Sequence, residues 1–291
     1  MKYYVCIDIG GTAIKYGLAS EEGNFVAKAS MPTQANLGGM GIVEKIKQII
    51  KDYSTEKIIS GVAISTAGVI DYTDGSIKFA LAIPNYTGTK LKAIVEQTFK
   101  VKCAVENDVN CIGLGEMWLG AGKGKSSLFC MALGTSIGGC AVLNKKVIHG
   151  ASNSAGEIAY MLIPGGNMHE LVSTSRLVKD VAKAKKLSLE KVNGKKIFTW
   201  ARQGDEDCKL AINNLMQHLT DGIVNIVSVL NPEMIILGGG IMAQTEYLQP
   251  IIDDLLKTKL EPSVYEQTNI AFAKLQNDAG MLGALYNLLY C

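Results

Sequence analysis

The stretch "YVCIDIGGTAIKYGLA", residues 4–19, is an apolar run that stops at a glycine-glycine-threonine turn and resumes as an alternating run. The pattern predicts two strands, Tyr3–Ile9 and Ile14–Ala19, joined by Gly10, Gly11 and Thr12. A hairpin needs the glycines. It does not need Asp8, a lone carboxylate set in an apolar strand. A glycine turn exposes backbone N–H groups and lets a phosphate approach closely, and the Thr12 hydroxyl adds a donor. Lys15 supplies positive charge, and Asp8 beside bound phosphates is suited to holding Mg2+ through water. The alternative use of Asp8 is an Asx-type turn in which it caps its own loop.

The same arrangement returns later. Ser127–Leu133 reads as a strand, "GTSIGG" (134–139) as a glycine turn with a hydroxyl, and Cys140–Leu143 as the next strand. A third strand, Met234–Leu237, runs into "GGG" (238–240). Neither a P-loop nor a Rossmann glycine pattern is present. The echo predicts two related halves facing each other across a cleft. Between the turns, strands alternate with helices: strand Phe25–Ser30, helix Gly41–Lys51, strand Ile58–Ser65, helix Leu91–Phe99, strand Lys102–Glu106 and a helix from about Asp108 to Leu119. Residues 205–230 read as a long amphipathic helix ending before Pro232, and Asn277–Tyr290 as a final helix. The glycine-rich, basic "GAGKGK" (120–125) marks a boundary.

The chain has 291 residues, a length for two domains, and its 48% hydrophobic content supplies a sizeable core. The net charge of +2 comes without a basic stripe, which argues against nucleic acid and anionic membrane as partners. The first strand is expected from Lys2 or Tyr3, so a helix-turn-helix transcriptional regulator is not the expected reading. No signal-peptide pattern and no apolar run of transmembrane length is seen, so a cytoplasmic location is expected. The seven cysteines form no C-x-x-C pair, and their odd number suits a reducing compartment.

A second anomaly is "VENDVNCIG" (105–113), where a strand ends in Glu106-Asn107-Asp108 as a helix begins. The helix dipole favours an ionised Asp108. Such a carboxylate can accept the proton of an alcohol attacking phosphorus. Asn107 offers a donor and an acceptor suited to sugar hydroxyls. Simple N-capping by Asn107 or Asp108 is the competing explanation, and the two uses are compatible.

"DIGGT" (8–12), "END" (106–108), "LGTSIGG" (133–139), "GE" (156–157) and "ILGGG" (236–240) together, and in this order, resemble the ROK family of sugar kinases. The resemblance spans nearly the whole chain. It implies an α/β, two-domain actin-like ATPase (ribonuclease H-like) fold with duplicated halves around a cleft. The expected division is a small domain of residues 1–110, joined by the helix 277–291, and a large domain of 111–276. By resemblance, Asp8, Gly10, Gly11 and Thr12 handle ATP phosphates and Mg2+, with Lys15 kept beside them for its charge. Gly134, Thr135 and Gly138 form the second phosphate loop, and Gly238 and Gly239 lie near adenosine. Asp108 is the catalytic base. Sugar contacts fall on Gly68, Asn107, Asp108, Glu157, Tyr160 and Glu170. The implied activity is ATP-dependent phosphorylation of a hexose or β-glucoside at the 6-hydroxyl. N-acetylmannosamine is the alternative acceptor, and a non-catalytic sugar-responsive binder is the alternative of another class. A homodimer is left open.

Three departures from the family pattern stand out. Ser136 and Cys140 replace glycines around the second loop, where side chains would narrow it. Tyr160 stands where many members have a histidine. The zinc cysteine cluster is missing: "YMLIPGGNMHELVSTS" (160–175) holds no Cys, and His169 alone cannot build a tetrahedral site. No zinc is therefore expected, and the shortened form with Tyr160 is similar to the β-glucoside kinases. Trp118 and Trp200 read as packing residues and "KAKKLSLEK" (183–191) as a solvated helix end.

Overall fold

The computed structural model describes residues 1–291. The opening stretch forms strand β1 (Tyr3–Ile9) antiparallel to β2 (Ala13–Ser20), with Asp8 opposite Lys15. β3 (Phe25–Pro32) extends the meander. Helix α1 (Gly38–Glu56) then crosses over to β4 (Ile59–Thr66), which pairs parallel to β1. A small hairpin, β5 (Val69–Asp71) and β6 (Ser76–Phe79), is followed by helix α2 (Leu91–Phe99), strand β7 (Lys102–Asn107) and helix α3 (Asp108–Leu119). The sheet order is β3-β2-β1-β4-β7. Parallel neighbours need a helical crossover, which α1 and α2 provide. α1 buries Ile42, Ile46, Ile49 and Ile50 in a core shared with Val5, Ile7, Ile9, Val62 and Ile64.

Four further strands are β8 (Leu128–Leu133), β9 (Ile137–Leu143), β10 (Lys146–Val147) and, after an extended segment, the first arm β11 (Leu162–Ile163) of a hairpin closed by β12 (Gly166–Asn167). Helices α4 (Met168–Leu171), α5 (Thr174–Ala184), α6 (Gly194–Arg202) and the long α7 (Glu206–Leu230) lead to β13 (Ile235–Gly239). Then come α8 (Thr245–Lys259), α9 (Pro262–Tyr265), β14 (Ile270–Phe272) and the final helix α10 (Ala279–Tyr290). β8 lies between β9 and the parallel β13, as β1 lies between β2 and the parallel β4. The repeat read from the two glycine turns is thus a repeat of strand order.

The chain divides into two compact units. The first holds Met1–Gly124, Ala141–Ala155 and Leu275–Cys291; the second holds Lys125–Cys140 and Gly156–Lys274. The division expected at residue 110 therefore falls inside the first unit. The reason is α3, which is buried on nearly every side and packs on α10. Glycines bring these helices together: a Cβ on Gly283 would stand 1.6 Å from the Cys111 carbonyl oxygen, and one on Gly115 2.4 Å from that of Ala279. Trp118 packs against Tyr286 and Tyr290 in the same layer, with ring centroids 5.9 and 6.0 Å away. In the second unit, Lys185 lies over the Trp200 ring.

Candidate functional site

In the first unit, the turn Gly10-Gly11-Thr12 is closed by Gly10 N–H donating to the Ala13 carbonyl at 3.1 Å. Thr33 braces it from β3's end: its hydroxyl donates to the Gly10 carbonyl at 2.6 Å and its N–H to the Thr12 carbonyl at 2.9 Å. Gly11 and Thr12 are exposed. Asp8 does not cap this turn. Its carboxylate accepts from the Ser65 hydroxyl at 2.7 Å and lies 3.5 Å from Lys15 Nζ. Its side chain is 16% exposed, and Gly280 of α10 leaves it room, since a Cβ there would stand 2.8 Å from Asp8 Cγ. A carboxylate at the mouth of a donor-bearing turn, with a lysine beside it, suits a phosphate-bound divalent cation.

The acidic strand end of the same unit is more tightly organised than the sequence suggests. Asn107 is the N-cap of α3: its Oδ1 accepts from Val109 N–H at 2.9 Å and Asn110 N–H at 3.0 Å. Its Nδ2 donates to the Gly68 carbonyl at 2.9 Å and to Asp108 Oδ1 at 3.0 Å. The amide thus makes four hydrogen bonds within the protein. Asn107 joins Gly68 to Asp108. Gly68 has φ +116°, and a Cβ there would stand 2.6 Å from the Phe79 carbonyl oxygen, so only glycine suits. Asp108 opens α3 with its Oδ1 held by Asn107 Nδ2 and by Val109 N–H at 3.0 Å.

Behind them sits Glu106, 1% exposed. Its Oε1 accepts from Asn107 N–H at 2.7 Å and Asn110 Nδ2 at 2.9 Å, while its Oε2 lies 2.7 Å from His149 Nε2. The His149 ring stacks on Tyr72, centroids 4.1 Å apart and 12° from parallel. The sequence marked Glu106 as part of the acidic strand end without giving it a role, and His149 did not stand out. The only local sign was the acidic strand end itself.

The second unit holds the other glycine turn. Gly134 N–H donates to the Ser136 carbonyl at 2.7 Å, and Thr174 N–H donates to the Gly134 carbonyl at 2.9 Å. Gly134 and Thr135 are exposed; Gly138 lies within β9 and not in the turn. Gly238 and Gly239 end β13 beside Ala132 and Leu133, so the third glycine run adjoins the second turn. Gly239 has φ +108°, and a Cβ there would fall 1.9 Å from the Leu133 carbonyl oxygen. Cys140 is buried in β9 and does not enter the turn. Ser136 does reach outward: its hydroxyl lies 2.7 Å from His169 Nδ1, which gives that histidine a protein partner.

Glu157, Tyr160 and Glu170 belong to this unit as well. The segment between them folds back through β11 and β12 around Pro164, Gly165 and Gly166, with Met168 N–H donating to the Met161 carbonyl at 3.0 Å. Asn167 caps the turn carrying Glu170, whose N–H it holds at 2.9 Å. Tyr160 is 74% exposed. Loss of water around the Glu157 carboxyl raises its pKa above the ordinary value. A cleft of about 320 Å³ adjoins the turn, lined by Thr135, His169, Glu170, Ser173, Arg176 and Lys179 among others.

The ROK family model matches residues 4–289. The chain belongs to the ROK family. A β-glucoside kinase of Listeria monocytogenes is 29% identical to this ROK chain, over 97% of the chain and 96% of the relative. The solved structure of Lmo2764 from Listeria monocytogenes, described as a candidate N-acetylmannosamine kinase, superposes with a TM-score of 0.89 at 27% identity, covering 99% and 98% of the two chains. A ROK family glucokinase from Streptomyces griseus, solved with glucose and AMPPNP, gives 0.82 at 26% identity over 97% and 98%. The fold is that of these ROK sugar kinases, the actin-like ATPase fold with two sheet-and-helix halves.

Proposed function

We propose that this ROK protein is an ATP-dependent sugar kinase that phosphorylates a hexose or β-glucoside at its 6-hydroxyl. The observation that carries the reading is the fixed Asp108 carboxylate at the start of α3, held by Asn107 and Val109. The reaction is an in-line displacement. The sugar hydroxyl oxygen bonds to the γ-phosphorus, the bond from that phosphorus to the β,γ-bridging oxygen breaks, and the hydroxyl proton passes to Asp108. The exposed backbone of the Gly11 and Thr135 turns and the hydroxyls of Thr12 and Thr135 serve the phosphates, and Lys15 adds charge. Mg2+ carried with the nucleotide would be held by Asp8, directly or through water, and would neutralise phosphate charge. Glu157 and Glu170 serve as hydroxyl acceptors for the sugar.

The acceptor assignment rests on Tyr160 and the tight hairpin after it. Where zinc-bearing relatives place a longer cysteine-rich loop, this chain turns back at Pro164-Gly165-Gly166. A short cover leaves space for a substituent at C1 of the sugar, and the exposed Tyr160 phenol offers a ring and one hydroxyl to it. An N-acetyl group at C2 needs a different pocket. Purified protein should therefore phosphorylate cellobiose or an aryl β-glucoside at least as well as glucose. N-acetylmannosamine should be poorer by about 10-fold or more in kcat/KM. The reverse ranking refutes the β-glucoside assignment, and no ATP-dependent turnover of any sugar refutes the kinase.

A further inference from the structure

We infer that His149 is a positioning residue for Asp108, acting through the buried Glu106 carboxylate, with Tyr72 holding the imidazole in place. The inference deepens the kinase reading and takes from it the role of Asp108. All four residues lie in the first unit. A carboxylate as buried as Glu106 is stable only when donors satisfy it. Three donors do so: Asn107 N–H and Asn110 Nδ2 at one oxygen, His149 Nε2 at the other. Two of these belong to the N-terminus of α3, so the carboxylate fixes the cap residue from behind. Asn107 then passes that constraint forward through its Nδ2 to Asp108 Oδ1. His149 is the one donor of the three that comes from outside the β7–α3 junction, 43 residues along the chain. Without it, Oε2 loses its hydrogen bond, and the carboxyl must rotate or take up a proton to recover one. Either response disturbs the bonds to Asn107 and Asn110.

The imidazole is itself located by two contacts of different kinds. Its Nε2 is directed at Glu106, and its face lies on Tyr72, which is 52% exposed on the small β5–β6 connection. Ring stacking fixes the plane and the hydrogen bond fixes the rotation within it. A histidine needed only to fill space would be replaceable by any ring of similar size. A positioning residue would need its N–H.

His149→Phe keeps a ring on Tyr72 and removes the donor, while His149→Gln offers a side-chain N–H in its place. Turnover should fall about 10-fold in His149→Phe, with KM for ATP within twofold of the native value, and His149→Gln should recover part of it. Carboxyl 13C spectra, with the Asp108 signal identified by its loss in Asp108→Asn, should show a displaced Asp108 titration in His149→Phe. This arm needs no activity, so it decides the positioning role even where the native protein turns over no sugar. If His149→Phe fails to fold, Tyr72→Ala takes its place, since a half-exposed side chain can be removed without opening the core. Turnover should then fall about threefold, with KM for ATP unchanged and the Asp108 signal displaced. A native Asp108 titration in a folded variant, or turnover within twofold of native in His149→Phe, overturns the inference.

Discussion

Gly280→Ala separates stability from function in this protein. Gly280 is buried in the first turn of α10, and the Cβ added there would meet Asp8 Cγ at 2.8 Å, Oδ1 at 2.8 Å and Oδ2 at 3.0 Å. Non-bonded carbons settle at about 3.5–4.0 Å, so the carboxyl must retreat by roughly 1 Å. The clash falls on the end of a side chain and not on backbone, so the strand and helix need not move. Alanine is also the better helix former by about 1 kcal/mol. The variant should fold with an unchanged or slightly raised Tm. Asp8, displaced, loses its 2.7 Å bond from Ser65 and its place beside the Gly10-Gly11 turn. A misplacement of about 1 Å in a reacting geometry costs on the order of 100-fold. A coupled ADP-release assay run against a Mg2+ titration should show kcat/KM for ATP down by about that factor and the Mg2+ midpoint raised. Gly283→Ala is the contrast: its Cβ would fall 1.6 Å from the Cys111 carbonyl, so α3 and α10 must part, and Tm should drop. Native turnover with a native Mg2+ midpoint in Gly280→Ala would refute the placing of metal and phosphate at Asp8.

Asp108→Asn should reduce turnover by at least ~100-fold while ATP binding, measured by calorimetry, survives. Near-native turnover would remove Asp108 from the proton transfer. Glu157 makes the acid limb of sugar use testable. Partial loss of water around the carboxyl of this otherwise exposed residue raises its pKa, so on lowering pH it is protonated early and loses acceptor capacity, and kcat/KM for the sugar should fall through that raised value. Glu157→Gln should abolish this limb, and an unchanged limb would assign it to another group. The same shift has a stability consequence. Between the unfolded and folded pKa values the native state binds more protons, so Glu157 makes stability decline as pH rises through that window. Elemental analysis of the purified protein should find no stoichiometric zinc, and about one tightly held zinc per chain would contradict the reading of the 160–175 segment.

What could be read from sequence alone was local or repeated. β1, α2 and α3 appear with the bounds their periodicity predicts, because a strand face or a helix start is written within a few residues. The ordered glycine turns and the acidic strand end pointed to the family for the same reason. Tertiary structure decided the partners. Asp8 could be read as capping its own turn until Ser65 and Lys15 were seen to hold it. Asn107 read as one group of an acidic strand end, and the fold ties its amide to Gly68, to Asp108 and to two helix N–H groups. Ser136 read as an obstruction in the second turn, and its hydroxyl is turned to His169, 33 residues later. His149 carried no signal at all, since nothing near it in sequence marks the buried carboxylate that it meets. A buried charge, a capped helix and a glycine beneath a carboxylate are each satisfied by groups far away in the chain. Which groups those are depends on strand order and helix crossing, and no period within a single segment encodes them.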